Sequence, residues 1–78
     1  MNTNEARRRN IAEYMTAYAR TYGKQPSVRE IGQAVGISST STTAGYLKRM
    51  VKDGILSIQN DVNYYRYSVN AESSYFGG

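Results

Sequence analysis

Apolar positions along this chain recur first at a helical period and then at a period of two, and the change marks its elements. From Thr3 or Asn4 to about Tyr22, Ile11, Tyr14, Met15, Tyr18 and Tyr22 recur at i, i+3, i+4, i+7 and i+11. That spacing predicts an amphipathic helix whose stripe faces a core and which stops at Gly23. A tyrosine stripe also suits base stacking, but packing with the hydroxyls at the rim is the expectation. Gly23 to Pro26 is a short linker. A second, shorter helix follows, with Val28, Ile31, Ala34 and Val35 on one apolar face. Ser27 and Glu30 stand at the spacing of a capping box at its start. Gly36 suits the positive φ of a sharp turn, and Ser39 offers the N-cap of a third helix. There Thr43, Leu47 and Met50 point inward, with Val51 beside them, and the helix closes at Asp53-Gly54.

Beyond Gly54 the period falls to two. Ile55 to Gln59 and Tyr64 to Val69 read as strands joined by a turn at Asn60-Asp61-Val62-Asn63. Leu56, Ile58, Tyr65, Tyr67 and Val69 share the expected core side, leaving Tyr64, Arg66 and Ser68 outside. Two unequal helices around a short Gly turn are a helix-turn-helix, and the hairpin adds a wing. The expected fold class is therefore α+β, a three-helix winged helix-turn-helix with a C-terminal β-hairpin. One domain covers residues 1–69, and 70–78 form a flexible tail without periodicity.

Composition narrows what such a domain does. With 78 residues there is room for one small core. The chain has no cysteine and no histidine, so thiolate or imidazole metal sites and the commonest general base are missing. Its carboxylates (Glu5, Glu13, Glu30, Asp53, Asp61, Glu72) are scattered, and no Gly-rich loop cradles phosphate. Neither an enzyme nor a cofactor or metal site is expected. No apolar run approaches the ~20 residues of a membrane span, and the N-terminus lacks a secretory pattern. A cytoplasmic protein, nucleoid-associated when bound to DNA, is the expectation. Ten Lys and Arg against six Asp and Glu give a net charge of +4, which favours a polyanion.

The third helix carries the most telling chemistry. It opens Ser39-Thr40-Ser41-Thr42-Thr43, five hydroxyl residues that form helices only moderately well. Short donor–acceptor side chains suit a helix whose first turn meets base edges or phosphates in a major groove. At 100° per residue Ser41, Thr42, Gly45, Arg49 and Lys52 lie opposite the apolar stripe. Gly45 there costs roughly 1 kcal/mol relative to alanine without a core reason, and close approach to DNA supplies one.

From Ser27-Val28-Arg29-Glu30-Ile31-Gly32-Gln33-Ala34-Val35-Gly36 through Tyr46-Leu47-Lys48-Arg49-Met50 to Lys52-Asp53-Gly54-Ile55-Leu56, the chain resembles the DNA-binding domain of the LexA repressor family. The likeness runs from about Arg7 to Ile58. It implies that Ser39, Ser41, Thr42, Ala44 and Gly45 read bases. The basic and capping residues Arg7, Arg8, Ser27, Arg29, Lys48, Arg49, Lys52 and Arg66 are the expected phosphate and backbone contacts. LexA proteins carry Asn and Glu among the reading positions, so the operator here should differ from a LexA box. They also add a C-terminal protease and dimerisation domain. Without it, the expectation is a repressor that occludes a promoter, monomeric in solution and paired only on a two-half-site operator. The competing expectation is a winged helix that docks on a host protein, through Tyr64 and Tyr75-Phe76.

Overall fold

The computed structural model describes residues 3–60 and 65–70. Three helices, α1 (Thr3–Tyr22), α2 (Val28–Val35) and α3 (Thr40–Lys52), precede a hairpin of β1 (Leu56–Asn60) and β2 (Tyr65–Val69). The strands pair antiparallel, Leu56 opposite Val69 and Ile58 opposite Tyr67. The expected architecture is present. The expected turn at 61–63, Tyr64 and the tail from residue 71 lie outside the described residues.

Local signals place the helix ends. The Ser27 hydroxyl accepts the Glu30 amide (3.1 Å) while the Glu30 carboxylate accepts the Ser27 amide (3.0 Å), a complete capping box. At the other end of α2, Gly36 takes φ 80°. The Ile37 amide then reaches back to the Gly32 carbonyl at 2.8 Å, and the Ile37 side chain turns into the core. Helix α3 ends the same way. Gly54 takes φ 81°, the Ile55 amide bonds the Met50 carbonyl at 2.9 Å, and Ile55 is buried.

One core joins all five elements. Ile11, Ala12 and Met15 of α1, Ile31 of α2, and Leu47 and Met50 of α3 are fully buried, with Leu56 and Tyr67 of the hairpin against them. Each buried Ile, Leu or Met side chain contributes ~1.5–3 kcal/mol by leaving water. Three apolar expectations fail at the margins of this core. Tyr22 is 63% exposed because a 20-residue α1 outruns the 8-residue α2 it packs on. Ile58 is 43% exposed although it shares a face with buried Leu56 and stands opposite buried Tyr67. Ala34 is exposed, some 100° around α2 from half-buried Val35.

Two further contacts depart from the sequence pattern. Tyr14, Tyr18 and Tyr22 form a surface ladder, with ring centroids 5.8 and 4.5 Å apart. Its middle member donates a hydrogen bond to Glu30 at 3.0 Å, tying α1 to α2. Asn70, expected to open the flexible tail, instead clamps the base of the hairpin. Its amide nitrogens reach the Ile55 and Gly54 carbonyls (both 2.9 Å), and its side-chain oxygen accepts the Ser57 hydroxyl.

Candidate nucleic-acid interface

The crossing of α2 and α3 sets how the third helix is presented. Gly32 of α2 is buried against Thr43 of α3, where a Cβ would stand 2.7 Å from Thr43 Oγ1 and 3.1 Å from the Ile37 carbonyl. The two backbones can approach this closely only with glycine there. Thr43, fully buried, satisfies its hydroxyl by donating to the Ser39 carbonyl at 3.1 Å. The Ser39 side chain accepts the Thr42 amide at 3.3 Å, so the N-cap expected there is formed.

With Thr43, Tyr46, Leu47 and Met50 inside, the other face of α3 is turned to solvent. Ser39, Ser41 and Thr42 are exposed, and so are Lys48, Arg49 and Lys52. Ala44 and Gly45 are half-buried. A Cβ on Gly45 would meet one neighbour, the flexible Arg49 Nη2, at 3.4 Å. No core atom forbids a side chain there. This face therefore combines short hydroxyls, a helix position open to close approach, and three cations.

A groove of about 520 Å³ runs beside the start of α3, lined among others by Arg29 and Gln33 of α2 and by Ser38 and Thr40. Arg29 is thus exposed next to the hydroxyl-rich turn. Gln33 and Ser38 are not among the contacts expected from sequence, and Thr40 enters there only within the hydroxyl run. Gln33 stands one turn after Arg29 on α2, and that i, i+4 spacing was the available signal.

The remaining expected contacts divide. Arg8 is engaged within the fold, its guanidinium 2.8 Å from the Asp53 carboxylate at the end of α3. Arg7 donates to the Tyr46 hydroxyl at 3.4 Å. Ser27 is occupied as a cap. Arg66 falls in β2, and its side chain lies outside the described residues, as do Tyr64, Tyr75 and Phe76, on which a protein-docking role was based. At the α1–α2 contact, bonds from the Ser27 amide and hydroxyl and then from Tyr18 hold the Glu30 carboxyl below the usual carboxylate range. The same bond to Glu30 raises the Tyr18 phenol. Among the described residues no group of acidic side chains could hold a metal ion, and no helix is long and apolar enough to cross a membrane.

Comparison with known proteins points the same way. The LexA DNA binding domain family model matches residues 1–63. The LexA repressor of Exiguobacterium sibiricum is 46% identical over 50 residues, 64% of this chain and 24% of that protein. That of Brevibacillus brevis is 43% identical over 56 residues, 72% of this chain and 27% of the relative. That of Pelotomaculum thermopropionicum is 50% identical over 46 residues, 59% of this chain and 23% of the relative. The chain thus spans about a quarter of the length of the curated relatives it matches. No solved structure matches it.

Proposed function

The chain belongs to the LexA DNA-binding domain family, and from that premise we propose that it binds double-stranded DNA sequence-specifically as a transcriptional repressor. Helix α3 enters the major groove by its first turns, and the hairpin lies along the neighbouring backbone. Bases are read by Ser39, Ser41, Thr42, Ala44 and Gly45. Phosphates are met by Arg7, Arg29, Lys48, Arg49 and Lys52, with Arg66 from the wing. Arg8 belongs to the fold, since reaching a phosphate means leaving Asp53. The role is a regulator's, exercised by occluding a promoter in the cytoplasm, and a second copy occupies the other half of a two-half-site operator.

The observation that carries this reading is the outward face of α3, where exposed Ser41 and Thr42 and the open position at Gly45 have no packing reason and stand among cations. A duplex selected from a random library provides the ligand for its test. Four to six neutralised phosphates give a log–log slope of affinity against salt of roughly −4 to −5. A slope near zero contradicts the proposal.

A further inference from the structure

Tyr46 has no role legible from spacing, yet it contacts arginines of two helices. It is 5% exposed and projects from α3 toward the start of α1. Its hydroxyl donates to Asn4 Oδ1 at 2.7 Å. Because that oxygen only accepts, the phenolic proton is committed to Asn4, and the oxygen's lone pairs face Arg7 Nη1 at 3.4 Å. The ring face meanwhile carries the Arg49 guanidinium, 5.3 Å from the centroid. Arg49 is steadied from its own helix too, its Nε donating to the Gly45 carbonyl at 3.2 Å. Gly45 leaves the space beside it open, since a Cβ there would stand 3.4 Å from Arg49 Nη2.

We propose that Tyr46 is a positioning residue that holds Arg7 of α1 and Arg49 of α3 as one cationic pair for the DNA backbone, an inference that rests on the DNA-binding reading above. The chemistry of the holder decides this. A carboxylate neutralises the guanidinium it orients, as Asp53 does for Arg8. A phenol orients without taking the charge. At 3.4 Å its bond to Arg7 is loose and uses one of five guanidinium donors. A phosphate makes shorter, charge-assisted bonds and takes over readily. Part of the rotamer freedom an arginine gives up on binding is already given up in the free protein. Asn4 has a matching part, since by taking the hydroxyl proton it aims the lone pairs at Arg7.

Tyr46→Phe in the full chain tests this, because it keeps the ring, the packing and the Arg49 stack and removes only the hydroxyl. The expected result is a melting temperature near the parent's and a duplex affinity about three- to tenfold lower, with the salt slope kept, because Arg7 still reaches its phosphate but is no longer held for it. The preference among duplex sequences stays unchanged. In an Arg7→Ala background the same substitution changes affinity less than about twofold, since the two act through one contact. Asn4→Ala leaves Tyr46 whole, lowers affinity in the same direction, and serves if the phenylalanine variant does not fold. Parent-like affinity in the folded variant, or losses that multiply with Arg7→Ala, overturns the proposal. A parent protein without salt-dependent duplex binding overturns the DNA reading itself, and no variant is needed to see that.

Discussion

Gly32 and Gly45 are both helical glycines, and each costs its helix ~1 kcal/mol relative to alanine. Their surroundings are opposite. At Gly32 a Cβ would stand 2.7 Å from Thr43 Oγ1 and 3.1 Å from the Ile37 carbonyl, the latter a backbone atom that cannot move aside cheaply. At Gly45 it would meet only the end of Arg49, at 3.4 Å. The cost at Gly32 is offset within the fold, because it lets α2 and α3 cross at close range and fixes the direction of α3. Nothing within the fold offsets the cost at Gly45. Residues that weaken a helix without a packing return are expected where a ligand supplies the return. One glycine therefore belongs to the architecture of the helix pair, and the other to what that architecture presents.

The largest effect separating them is expected at Gly32. Gly32→Leu forces a branched side chain into the Thr43 hydroxyl and the turn carbonyl, and should destabilise the domain by about 3 kcal/mol. Denaturant unfolding measures this, and parent-like stability would break the comparison. At Gly45 the smaller and opposite result is expected. Gly45→Ala should stabilise by a few tenths to ~1 kcal/mol, since it restores helix propensity and displaces only a flexible guanidinium. A melting temperature higher by a few degrees, on the order of 4–8 °C per kcal/mol for a domain this size, is the reading that sharpens it. A loss of stability there would show that Gly45 is packed.

How much of this was legible beforehand follows from the range of each interaction. The capping box at Ser27 and Glu30, the turn at Gly36, the cap at Ser39 and the inward row of Thr43, Leu47 and Met50 are local, and spacing alone locates them. Spacing also put Gly45 on the outward face. It could not see Gly32, whose role exists only because α3 crosses there, nor Tyr46, whose partners Asn4 and Arg7 lie at the other end of the chain. Asn70 is a similar case, needed at the hairpin base by carbonyls of residues 54 and 55. The opposite error arose at Tyr22 and Ile58. A periodic pattern gives a face but not where along that face the core ends. For the candidate site, the residues of α3 were legible, the neighbouring groove with Gln33 and Ser38 was not, and Arg8 proved to have a partner in the fold.

The central claim is that the outward face of α3 lies against DNA, and Gly45→Glu tests it most directly when melting and duplex affinity are measured on the same preparation. Glutamate is a good helix former, and the space beside Gly45 is occupied only by Arg49, an opposite charge. The melting temperature should therefore equal or exceed the parent's. Against DNA the same side chain places bulk and negative charge between helix and phosphates, which should cost on the order of 2 kcal/mol, roughly 30-fold in Kd. A folded Gly45→Glu protein that binds the selected duplex as tightly as the parent would show that DNA is read by some other face.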